Sequence, residues 1–104
     1  EGSTIGADDL PAPVLLSPIG KFSTSKPTFT WSAVKDASSY LYLLYDGTKN
    51  LHVKWYTSAE AGCNGTSCAI TLPFDLNRGT YYWWVQAKSS QLTSPWSVGA
   101  TIIY

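Results

Sequence analysis

Leu76-Asn77-Arg78-Gly79-Thr80-Tyr81-Tyr82-Trp83-Trp84-Val85-Gln86-Ala87 is the stretch that decides the fold. Asn77-Arg78-Gly79 supplies turn-forming residues, and the run after it is rich in the aromatic and β-branched side chains that fit a pleated, half-buried surface. Side chains alternate across a strand, so Tyr81, Trp83, Val85 and Ala87 share one face, while Tyr82, Trp84, Gln86 and Lys88 share the other. The first set is the candidate core. The second turns an indole and a phenol toward the side where polar groups are expected.

Upstream and downstream of this run the chain breaks into further short β-rich segments, near residues 12–16, 27–33, 39–46, 50–56, 68–73, 79–89 and 97–104, separated by Gly, Pro, Asn, Asp and Ser clusters. Asp46-Gly47, followed by Thr48-Lys49-Asn50, has the chemistry of a short hairpin connection. The one helical candidate, residues 57–61, runs straight into Gly62 and is too short for more than a single turn. Seven strands of this spacing predict an all-β fold, a two-sheet antiparallel β-sandwich. Residues 1–11 mix Gly, Ser, Thr and Asp and close on prolines that favour extended backbone, which reads as a linker; residues 12–104 form the domain. The start lacks an initiator Met and an apolar signal core, as expected of a piece of a longer or processed precursor.

At 104 residues one sandwich core accounts for the whole chain, and with 44% hydrophobic residues there is ample apolar area to offset chain entropy. Seven basic and seven acidic residues cancel, which removes the field that nucleic acid or an anionic membrane surface would reward, so neither is expected as a partner. No run of apolar residues is long enough to span a bilayer as a helix. The two cysteines, in Cys63-Asn64-Gly65-Thr66-Ser67-Cys68, are too close together and too poor in neighbouring ligands for zinc, but a disulfide across a turn closes them readily. Such a small loop adds roughly 2 kcal/mol in the chain-entropy treatment, enough to pin one loop. It also points to an oxidising, extracellular location, against the alternative of two reduced thiols in a cytosolic protein.

The run from Leu76 to Ala87 resembles the sixth strand of bacterial fibronectin type III domains, in which a Leu, a Gly-Thr turn and an alternating Tyr, Trp, Val, Ala series recur. Three further features follow the same order: Pro27-Thr28-Phe29-Thr30-Trp31 is similar to the second strand with its buried Trp, Tyr40 opens the third, and Ser94-Pro95-Trp96-Ser97 is similar to the approach to the last. The resemblance covers residues 12–104 and implies a fibronectin type III or immunoglobulin-like sandwich. It further implies an accessory module of secreted bacterial polysaccharide-active enzymes, acting as spacer, docking surface or carbohydrate-binding module beside a catalytic domain of the same parent chain. Between residues 50 and 68 this sequence departs from the plain pattern, with Trp55-Tyr56 and the cysteine loop forming a longer excursion.

If the third and sixth strands are neighbours, Leu41, Leu43 and Tyr45 lie outward beside Tyr82 and Trp84, with Trp55 or Tyr56 added from the fourth. That apolar face is larger than a soluble monomer ordinarily leaves bare. Three occupants are open: the 57–68 excursion folded back over it; a sugar chain stacked on the rings with Gln86, Lys88, Asn50 or His52 bonding hydroxyls; or a neighbouring domain or partner.

Catalytic chemistry has little support. Asp36, Asp46 and Asp75 fall at turns rather than as a pair on one cleft wall, and His52, the single histidine, has no nucleophile elbow to accompany it. Asp8-Asp9 supplies too few ligands for calcium, so no metal or other cofactor is expected. Asn64-Gly65-Thr66 matches a glycosylation acceptor but reads first as the turn between bonded cysteines. The expectation is therefore a monomeric, secreted, noncatalytic module that binds polysaccharide through Trp84, Tyr82, Tyr45, Trp55, Gln86 and Lys88. The alternative is a spacer or protein-docking domain with no glycan ligand.

Overall fold

The computed structural model of the protein describes residues 10–104. They form nine strands: β1 (Leu15–Ser17), β2 (Gly20–Lys21), β3 (Thr28–Ser32), β4 (Ser39–Tyr45), β5 (Asn50–Thr57), β6 (Ser67–Thr71), β7 (Thr80–Lys88), β8 (Thr93–Trp96) and β9 (Ala100–Ile103). One sheet has the order β1-β3-β6; the other runs β2-β9-β7-β4-β5, with β8 also paired to β7. All pairings are antiparallel except β2 with β9.

The inward faces meet in an aromatic core. Phe29 and Trp31 from β3 face Tyr40, Tyr42 and Leu44 from β4 and Trp83 and Val85 from β7, all essentially without solvent contact. The rings pack edge-on or tilted, with Phe29 5.0 Å from Trp83 and 5.2 Å from Tyr42, the arrangements that ring quadrupoles favour. At the entry to β7 the Tyr81 hydroxyl donates to the Asn77 carbonyl at 2.6 Å, a tyrosine corner that ties the turn to the strand it feeds. Leu10 is buried in the same core; residues 1–9, the rest of the expected linker, lie outside the described residues.

Two strands go beyond the seven expected. β2 lies beyond the first expected strand, 12–16: β1 pairs with β3 on one sheet, and the chain then crosses to pair β2 with β9 at the edge of the other. β8 occupies the stretch around Pro95 that the sequence reading takes as the approach to the last strand. Proline is tolerated because β8 pairs only with β7. Two serine hydroxyls make up the ladder there: the amides of Ala87 and Val85 donate to Ser94 Oγ at 2.9 Å and Ser97 Oγ at 3.0 Å.

The 57–68 excursion does not fold over the outer sheet face. It crosses from β5 to β6 and closes one end of the sandwich. Thr57 and Glu60 cap each other, the Thr57 amide donating to Glu60 Oε1 at 2.9 Å and the Glu60 amide to Thr57 Oγ1 at 3.1 Å. The resulting single turn places Ala61 in the core with no exposure, and its carbonyl accepts from the Ala69 amide at 2.7 Å. The Ser58 amide meanwhile binds the Ser38 carbonyl at 2.9 Å. The Cys63–Cys68 disulfide fixes the last turn of this crossing, and Asn64 Oδ1 accepts from the amides of Thr66 and Ser67 within it. What draws the segment inward is a single methyl, Ala61, that fits between the sheets.

Candidate aromatic platform

Cross-strand register lays out the outer face of the larger sheet as rows, since residues directly opposite in an antiparallel pair share a face. One row is Trp55–Leu41–Gln86–Trp96, the next Val53–Leu43–Trp84, and the next Asn50–Tyr45–Tyr82–Thr101. Thr57–Ser39–Lys88–Thr93 closes the face at the end near the disulfide crossing. The sequence-derived residues Trp84, Tyr82, Tyr45, Trp55, Gln86 and Lys88 thus all lie on one surface. Trp55 and Trp96 stand about 14 Å apart at opposite ends of their row, three strand spacings of about 4.8 Å.

Tyr45 and Tyr82 lean together with ring centroids 6.1 Å apart. Leu43, Tyr45, Asn50, Trp84 and Trp96 line a shallow depression at the centre. The rim is open: Trp55 is 43% exposed, Val53 49% and Trp96 41%. Lys88 is the only charged side chain on these rows, and its Nζ sits 5.4 Å from the centre of the Trp55 ring, close enough for a cation–π contact. Gln86 is held in place, its Nε2 donating to the Ser94 carbonyl at 2.9 Å, which leaves its Oε1 as the group to meet a ligand.

The structure settles one choice the sequence left open, Trp55 or Tyr56, and two positions differ from the sequence reading, His52 and Trp96. Tyr56 is core and Trp55 is surface, because a bulge near Leu51 pairs Leu44 with His52 but Tyr45 with Asn50. The same shift takes His52 off the face and turns it inward, where its Nε2 lies 2.8 Å from the Tyr56 hydroxyl and its ring packs beside Phe74 and Tyr42. Trp96 joins the platform as a member that alternation alone could not place, because Pro95 hides β8.

The setting of His52 leads us to expect a pH dependence of the domain's stability. Burial, and then the positive charge of Lys54, hold its pKa below the ordinary value of 6.5, so the folded state binds a proton less readily than the unfolded chain. The stabilisation is present above the unfolded pKa and is lost as pH falls through the lower folded one. Thermal midpoints are expected to fall between pH 7 and pH 5, above the carboxylate range, and His52→Gln is expected to flatten that slope. An unchanged slope in the variant would assign it to another group.

A second exposed apolar surface lies along the edge of the sandwich. Val14, Leu16, Ile19 and Val98 are exposed, Val98 at 91%, and with Pro13, Leu15, Gly99 and Ala100 several of them border a small cleft between β1 and the β8–β9 connection. It contains no aromatic ring.

No protein-family model matches the chain, and no curated protein matches it. Among solved structures, an Fn3-like protein from Clostridium thermocellum superposes with a TM-score of 0.55 at 20% identity, over 89% of this chain and 94% of that one. The human OSCAR ligand-binding domain superposes at 0.48 and 17% identity, over 91% of this chain and 48% of that one. At 20% identity the likeness to the Clostridium protein speaks to architecture. Together with the sheet order and the tyrosine corner, it shows that the chain has an Fn3-like β-sandwich fold.

Proposed function

We propose that the chain is a noncatalytic accessory module of a secreted bacterial polysaccharide-active protein, and that it binds glycan through the outer face of β4, β5, β7 and β8. One observation carries this reading: Trp84, Trp96, Trp55, Tyr82 and Tyr45 share a sheet face that no other element among the described residues covers, and Lys88 is the only charged side chain on its rows. The C–H faces of pyranose rings stack on indole and phenol rings, and the binding energy of such contacts is apolar burial. Asn50, Thr101, Gln86 Oε1 and the tyrosine hydroxyls stand round the rings as hydroxyl partners. The disulfide is compatible with an extracellular setting, and a bacterial Fn3-like protein is among the structural neighbours.

The test is a binding screen of the domain, by affinity electrophoresis and insoluble-polysaccharide pull-down across plant, algal and microbial glycans. Retardation by at least one neutral glycan is expected, and it should persist in about 1 M salt, where ionic attraction is screened beyond about 3 Å. The second reading, a spacer docked to a neighbouring domain, is favoured by the exposed aliphatic side chains of Val14, Ile19 and Val98 that border one cleft. Absence of binding to every glycan would transfer the assignment to it.

A further inference from the structure

Gly99 lies in the β8–β9 connection, directly beneath the Trp84 side chain. It is not among the glycines with positive φ, so left-handed backbone is not what glycine supplies there. What it supplies is room. A Cβ built on Gly99 would fall 2.7 Å from Trp84 Cε2 and 3.1 Å from Cδ1, and would also collide with Nε1. These are atoms in the body of a rigid bicyclic ring, which cannot bend out of the way as the tip of a flexible chain does.

The backbone cannot yield easily either. On one side of Gly99, the Ser97 amide donates to the Val85 carbonyl at 2.9 Å and the Val85 amide donates to Ser97 Oγ at 3.0 Å. On the other side, Ala100 is paired with Trp83 in the ladder. Both anchors are on β7, the strand that carries Trp84. An added methyl is therefore relieved chiefly by rotation of the indole away from the connection and across the depression it shares with Leu43, Tyr45, Asn50 and Trp96.

We infer that Gly99 is the positioning residue of the platform: its missing side chain lets the Trp84 indole lie down against the β8–β9 connection and face outward as a stacking surface. The role in ligand binding rests on the glycan reading above, whereas the role in setting the ring's attitude does not. It also separates two surfaces, because Gly99 borders the aliphatic cleft on its other side.

The test compares wild type, Gly99→Ala, Trp84→Ala and the double variant, with readouts in the absence and presence of polysaccharide. In the ¹H–¹⁵N spectrum, Gly99→Ala is expected to shift the Trp84 indole N–H resonance, identified by its absence in Trp84→Ala, while the resonances of buried Trp31 and Trp83 stay in place. Gly99→Ala is expected to lower the melting temperature by a few degrees when Trp84 is present and by much less in the Trp84→Ala background, which is the signature of direct coupling. In affinity gels containing xylan or hydroxyethylcellulose, Gly99→Ala is expected to weaken retardation at least tenfold. If the wild type is not retarded but the indole shift and the coupling are both seen, the positioning role stands and the glycan reading falls. An unmoved Trp84 resonance together with additive melting effects would overturn the inference, whatever the glycan result.

Discussion

Trp83→Ala is expected to lower the melting temperature by about 15 to 30 °C, through loss of about 3–5 kcal/mol at a buried aromatic site in a domain of this size. Trp83 has no solvent exposure, contacts Phe29 across the sheet interface and Tyr42 on the adjacent strand β4, and donates from Nε1 to the Pro18 carbonyl at 3.2 Å. Truncation removes the transfer energy of the ring, leaves a cavity between two sheets that cannot collapse independently, and orphans a carbonyl on the segment joining β1 to β2. Domains of this size are stable by only about 5–15 kcal/mol, so the variant stands near the edge of folding. Circular dichroism melts of wild type and variant decide it. A change below about 5 °C would mean that the ring is not the keystone its contacts describe.

Trp83 and its neighbour Trp84 show how much could be read from the chain. Alternation along β7 assigned one indole inward and the next outward, and the structure agrees because a strand paired on both sides cannot rotate its faces. The same logic, which sets Leu41, Leu43 and Tyr45 outward, places Tyr40, Tyr42 and Leu44 inside, and Trp31 is buried as the fibronectin type III resemblance implies. It failed where the period of two is interrupted. One extra residue near Leu51 shifts β5, and only the pairing with β4 reveals that Trp55, not Tyr56, faces out and that His52 turns in. Pro95 concealed β8 because a proline is excluded from central strands but acceptable at an edge, a distinction that exists only once the sheet is assembled.

The path of the 57–68 excursion was equally out of reach. Its capping pair and its disulfide are local and could be read, but the space between the sheets into which Ala61 inserts is defined by residues far away in sequence. Gly99 is the sharper case. A glycine between Val98 and Ala100 looks like turn chemistry, yet its backbone is outside the left-handed region and its significance is a ring contributed by Trp84. The candidate site was therefore legible in its composition, through Trp84, Tyr82, Tyr45 and Trp55, and not in its geometry.

Trp84→Ala is expected to separate binding from folding. Trp84 is half-buried, resting on Gly99 and bordering the depression with Leu43, Tyr45, Asn50 and Trp96. Its truncation should cost roughly 1 kcal/mol of stability, well short of the cost at Trp83, because its outer face already meets water and no interior cavity opens. Stacking against a sugar, by contrast, uses that outer face, and losing about 1.5–2 kcal/mol of contact would weaken binding about 10- to 30-fold. The paired measurement is retardation in the glycan gel that best holds the wild type, beside a thermal melt. A fall of a few degrees with lost retardation identifies Trp84 as a platform residue, and Trp55→Ala, at the rim beside Lys88, should show a smaller loss of binding with no loss of stability. If Trp84→Ala instead melts as low as Trp83→Ala, the indole is a structural member of the sheet. If it binds glycan as the wild type does, the ligand must engage some other surface of the domain.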